Sequence, residues 1–217
     1  MRILVFDDNE INRAAAYAQL KDHDLTVVGT YDEAQELLTP QVDEDKVSSI
    51  LKNQFGDKEE ERDLMKYFAA IDMARQQAII YPAFDVVLTD LLVPASSWMQ
   101  GEKGREFVGK EMPLGIFIGL MAAVRARAKY VAVFTDKGHH SHPASACFDV
   151  FNPEGEYEPK AFMVEGSKVL LCNARNWINE FRPENLVEEI SDEERKNNLP
   201  SVHAKNWRKL FDYLITA

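Results

Sequence analysis

The chain has 217 residues, 46% of them apolar and 28% charged, which suffices for one sizeable globular domain or one domain carrying large insertions. Its formal net charge of −11 argues against non-specific binding to nucleic acid or to an anionic membrane surface. Two isolated cysteines, Cys147 and Cys172, exclude a CxxC zinc ribbon and a disulfide scaffold and point to a reducing compartment.

The opening RILVF is short, branched and continuously apolar, the pattern of a buried parallel strand. It is too short for a signal peptide and runs into Asp7 and Asp8. INRAAAYAQLKDH has helical spacing, LTVVGT is a second strand, and YDEAQELL opens a second helix with Asp32 as its N-cap. Residues from about 39 to 80 break the pattern: they are charge-rich with helical periodicity, and they predict a helical insertion turning near Gly56 and Asp57. FDVVLT is the third strand; Asp90 closes it and Pro94 follows four residues later. A second insertion at about 95–112 is rich in Gly and Lys but ends in no P-loop. PLGIFIGLMAAV begins a core helix reaching about Lys129 and is too short to cross a bilayer. YVAVF is the fourth strand and ends at Thr135, followed by a loop with Lys137, His139, His140 and His142. KAFMVEGSKVLLCNA predicts two short strands around Glu165 and Gly166, the second being the candidate fifth core strand. A charged third insertion at about 182–203 precedes an amphipathic helix with Trp207, Leu210, Phe211 and Leu214 on one stripe.

Repeated strand–helix alternation predicts a single α/β domain over 1–217, with a doubly wound, five-stranded parallel sheet in the flavodoxin-like order 2-1-3-4-5. Right-handed crossovers bring all the strand C-termini to one edge, and ligands bind there. Asp7, Asp8, Asp90 and Thr135 all stand at that edge. One such Asp is a turn or a helix cap; several carboxylates packed together repel, and a hard cation such as Mg²⁺ relieves the repulsion.

ILVFDDNEINRAAAYAQL, VVLTDLLVP and VAVFTD together resemble the receiver domain of two-component response regulators, over roughly 120 residues. The resemblance implies that Asp90 accepts a phosphoryl group from a histidine kinase or phosphotransfer protein. It implies that Asp7, Asp8, Asp90 and the Leu92 carbonyl hold Mg²⁺, and that the Thr135 hydroxyl donates to the phosphoryl group. The family also has a lysine at the end of the fifth strand. Asn173 stands there if the strand is residues 168–172; if it is CFDVF instead, Asn152 stands there. Lys168, or Lys137, His139 or His140 of the loop after Thr135, is then the candidate replacement donor.

Three readings of function follow. The leading one is a stand-alone, cytoplasmic, atypical receiver-like domain that is a phosphoacceptor rather than a turnover enzyme, binding neither nucleic acid nor membrane. The others are a Mg²⁺-dependent phosphohydrolase or phosphotransferase on the same sheet edge, and an interaction module that keeps the fold without the chemistry.

Overall fold

The computed structural model describes residues 1–56, 64–96, 102, 104–138, 140–151, 159–173, 177–181 and 202–217. The chain divides into two compact units, Thr39–Pro82 and the remainder.

The larger unit begins with β1 (Arg2–Phe6), α1 (Glu10–Gln19), β2 (Asp24–Val28) and α2 (Tyr31–Leu38). Asn9 caps α1 by accepting from the Ile11 N–H, which frees the turn before it to present Asp7 and Asp8. At α2 the cap is Thr30 rather than the expected Asp32. Thr30 Oγ1 accepts from the Glu33 N–H at 3.3 Å while Glu33 Oε2 accepts from the Thr30 N–H at 3.1 Å, a reciprocal capping box. Asp32 lies inside the helix and accepts from Ser96 Oγ.

The smaller unit is β3 (Gln41–Val42), α3 (Glu44–Phe55), α4 (Leu64–Gln77) and β4 (Ile79–Ile80). Its two helices enclose a small core of Val47, Ala74 and Ala78, and an antiparallel two-residue ladder closes its base. Helix α3 stops at Gly56, whose φ of 67° suits glycine.

The larger unit resumes with β5 (Val86–Asp90) and the short antiparallel pair β6 (Val93–Pro94) and β7 (Glu111–Met112). Helix α5 (Gly115–Leu120) continues into a π-type turn, Met121–Arg125, and ends before the expected Lys129. Then come β8 (Tyr130–Phe134), α6 (Pro143–Ala146), β9 (Phe162–Val164), β10 (Ser167–Cys172), β11 (Ile178–Phe181), β12 (Val202–Lys205) and a C-terminal helix, Trp207–Thr216. CFDVF is a 3₁₀ segment and not a strand.

The architecture is α/β. The central sheet has six strands, not five, in the order β2-β1-β5-β8-β10-β9. The first five are parallel, and β9 is an antiparallel edge strand paired with β10 through the hairpin at Glu165 and Gly166. Period-two alternation sends Ile3, Val5, Val86 and Leu88 to one face, where α1, Trp177 and the C-terminal helix cover them. Leu4, Phe6, Val87 and Val131 go to the other, under Ala34 and Leu38 of α2 and Ile118 of α5. Every residue of β5 is buried, so its last one, Asp90, arrives at the sheet edge from inside the core. The charged insertion expected at 182–203 falls mostly outside the described residues, but its last two residues belong to β12, which pairs with β11. No helix among the described residues is long and apolar enough to cross a membrane.

Candidate functional site

Three strand-end acids meet at the C-terminal edge of the sheet. Oxygen atoms of Asp7, Asp8 and Asp90 all lie within 4.8 Å of one another. Asp7 and Asp8 follow β1 directly, and Asp90 comes from the adjacent β5, so parallel pairing alone brings them side by side.

The three carboxylates have different surroundings. Asp7 is fully buried: Oδ1 accepts from the Asn9 N–H at 2.9 Å and from Asn12 Nδ2, and Oδ2 accepts from Asn12 Nδ2 and Lys205 Nζ. Asp8 is partly exposed, and burial together with the Asp7 charge raises its pKa above the ordinary range. Asp90 Oδ1 accepts from the Leu91 N–H at 2.7 Å and from Lys205 Nζ at 2.6 Å. Its Oδ2 takes no hydrogen bond among the described residues. Burial pushes Asp90 up to about 7, with Lys205 opposing the shift and Asp7 adding to it.

Lys205 is the residue that sequence reasoning missed. It is 1% exposed, and its ammonium bridges Asp7 Oδ2 at 2.7 Å and Asp90 Oδ1 at 2.6 Å. The Phe134 and Trp207 rings flank it, 5.7 and 5.4 Å from the nitrogen. Burial alone would discharge an amine, but Asp7 and Asp90 outweigh it and raise the pKa, so the group stays charged. A lysine does reach the acids, although it does not end the fifth strand. The chain leaves β10 at Cys172, makes its excursion through β11 and β12, and delivers Lys205 two residues before the last helix.

The other expected residues differ in where they stand. Asn173 does follow β10, but its Nδ2 donates to the Ser145 carbonyl and to Asp149 Oδ1, both at 3.0 Å. Lys168 pairs in register with Tyr130, at the opposite end of the strands from the acids, and its Nζ donates to the Ala217 carbonyl. It therefore does not reach the site. Thr135 is fully buried at the end of β8; its Oγ1 accepts from the Lys137 N–H at 3.1 Å, and its own hydroxyl hydrogen has no acceptor among the described residues. Lys137 supports Thr135 through its main chain, while the cation touching Asp90 is Lys205. His140 is exposed, and His142 caps α6 by accepting from the Ala144 N–H. His139 lies outside the described residues. Leu92 is buried beside Leu91, Val133 and Phe148.

Two further features hold the acids in place. The Gly115 N–H donates to the Leu91 carbonyl at 3.0 Å, and a Cβ at Gly115 would overlap the Asp90 carbonyl oxygen. Only glycine lets α5 start this close to the β5 end. Arg13 donates to the Asp7 and Asp8 carbonyls at 2.9 and 2.6 Å, fixing the turn that carries both acids.

The donor set suits a hard divalent cation. With Asp90 ionised, three carboxylates face one ammonium, and the excess of two negative charges equals the charge of one such ion. Oδ2 of Asp90 and the Asp8 carboxylate are the oxygens least committed to protein donors.

Comparison with known proteins gives no match: no family model, no curated protein and no solved structure is similar to this chain.

Proposed function

We propose that the chain is an atypical receiver-like signalling domain in which Asp90 accepts a phosphoryl group. The observation that carries this reading is the clustering of Asp7, Asp8 and Asp90 within 4.8 Å, with the buried Lys205 ammonium seated on two of them. The sheet adds support, because five of its six strands are adjacent and parallel and so bring their C-terminal ends to one edge. The buried Thr135 at the neighbouring β8 end adds more.

Each group has a task. Asp90 Oδ1 is held by Leu91 and Lys205, so Oδ2 is the nucleophile. It attacks phosphorus as the bond from phosphorus to the donor's nitrogen or oxygen breaks, and the electron pair leaves with the donor. An acyl phosphate remains on Asp90. Asp7, Asp8, Asp90 and the Leu92 carbonyl would hold Mg²⁺, which supplies charge neutralisation on the phosphoryl oxygens. Lys205 turns from the carboxylate toward the phosphoryl group as a positioned cation, and Thr135 donates its free hydroxyl hydrogen. A histidine kinase or phosphotransfer protein in the cytoplasm is the proposed donor.

The test is intact mass after incubation with Mg²⁺ and phosphoramidate. A single acid-stable, base-labile phosphate on the wild type, absent from Asp90→Asn, is the expected result. Steady release of phosphate from a small phosphomonoester would favour a phosphohydrolase. Neither adduct nor turnover would leave a binding module with this fold.

A further inference from the structure

Asn12 is a buried amide on the first turn of α1, a place where asparagine gains nothing from helix propensity. Its side chain is fully used. Nδ2 donates to both oxygens of Asp7, each at 3.1 Å, and Oδ1 accepts from the Lys205 main-chain N–H at 3.1 Å. The two contacts have opposite polarity, so the orientation of the amide is fixed by its partners. The Asn12 carbonyl also accepts from Trp207 Nε1 at 2.8 Å. Two turns further along α1, Gln19 Nε2 donates to the Lys205 carbonyl at 3.3 Å, and Gln19 Oε1 accepts from the Arg208 N–H at 3.2 Å. Both peptide groups of Lys205 are thus held by amide side chains of α1.

This arrangement has a reason in the chain's own topology. Lys205 does not lie on a strand of the central sheet; it sits on β12, whose only strand partner among the described residues is β11. Nothing in the sheet ladder fixes its position relative to Asp90. An error of one ångström would take the ammonium out of contact with one of the two carboxylates, and such an error is costly at a reacting centre.

We propose that Asn12 is a positioning residue: its carboxamide ties the Asp7 carboxylate and the Lys205 main chain into one unit, and so sets where the Lys205 ammonium stands relative to Asp90. The consequence for chemistry rests on the phosphoacceptor reading above, whereas the positioning itself does not. Leucine would fill the space but leave the Lys205 N–H unpaired. Aspartate would set a third carboxylate against Asp7.

The experiment uses the full chain with ¹⁵N-labelled lysine. A buried, ion-paired ammonium exchanges slowly with water and gives a visible NMR signal, which Lys205→Met identifies by deleting it. Asn12→Ala, shown by circular dichroism to be folded, is expected to accelerate exchange of this ammonium at least tenfold. Asn12→Ala should also slow adduct formation from phosphoramidate at least tenfold in the wild-type background, and have no added effect in a Lys205→Met background. An unchanged ammonium signal in folded Asn12→Ala overturns the proposal. So do rate effects of the two substitutions that simply multiply, since a merely structural asparagine would act in either background. If Asn12→Ala does not fold, Asn12→Ser, which can serve only one of the two partners, carries the same comparison. If no protein forms an adduct, the phosphoacceptor reading fails, while the ammonium exchange still decides the role of Asn12.

Discussion

Lys205 is a cation shielded from bulk solvent. It stays charged only because Asp7 and Asp90 face it, and its ammonium is in turn shared between the two carboxylates. Removing one side of a buried ion pair leaves the other side's charge uncompensated, at a cost of about 3–5 kcal/mol. Lys205→Met is therefore expected to lower the stability of the metal-free protein at pH 8 by up to about that amount, part of it relieved because Asp90 takes up a proton more readily once Lys205 no longer opposes the shift. Its methylenes are replaced by a side chain of similar length, so packing against Phe134 and Trp207 is retained. Magnesium should restore more stability to this variant than to the wild type, since the ion supplies the missing positive charge. Urea unfolding with and without Mg²⁺ checks both statements; equal loss in the two conditions would mean that Lys205 acts through packing and not through charge.

At the scale of elements, the α2 cap makes a second, independent prediction. Thr30→Ala removes one half of the reciprocal bond with Glu33 and should cost about 1 kcal/mol in urea unfolding, with no effect on the acidic cluster. The sequence carries both the Thr-x-x-Glu spacing and Asp32, and propensity alone does not choose between them because threonine and aspartate are both good capping residues. The strands were legible for a firmer reason. β1, β5, β8 and β10 are apolar and branched because they are buried on both faces, and that produces a continuous signal. Asp7, Asp8, Asp90 and Thr135 were legible because they end such strands. Lys205 and Asn12 were not. Lys205 reaches the acids across a break of more than thirty residues after β10, and no local pattern encodes that distance. Asn12 looks like any polar residue of an amphipathic helix until β12 is seen lying against it. The antiparallel β9 was read as a hairpin arm, yet nothing in three residues says that it extends the main sheet. The helical character of residues 39–80 could be read from periodicity; that they form their own compact unit depends on long-range packing, which periodicity does not report.

At the scale of the molecule, the acidic cluster ties folding, proton binding and metal binding together. Asp90 in the metal-free protein has a pKa of about 7, pushed up from 3.8 chiefly by burial. The folded state therefore holds a proton that the unfolded chain releases at lower pH. Stability from this group is fully present below about 3.8, declines as pH rises, and is lost by about 7. The raised pKa of Lys205 acts only at alkaline pH, above the ordinary lysine value of 10.5, and does not enter this window. A divalent ion at Asp7, Asp8 and Asp90 competes with the proton on Asp90. Its apparent affinity should climb up to about pH 7 and then level off, and at pH 6 it should be roughly tenfold weaker than at pH 8. Magnesium at about a hundred times its pH 8 dissociation constant would add about 2.7 kcal/mol at pH 8, and the same concentration would add only about 1.4 kcal/mol at pH 6. For a chain of this size each kcal/mol raises Tm by about 2–4 °C, so scanning calorimetry should resolve the difference. Asp8→Ala should remove most of the gain at both pH values. If magnesium raises Tm equally at pH 6 and pH 8, Asp90 is not among its ligands, and the phosphoacceptor reading loses its metal.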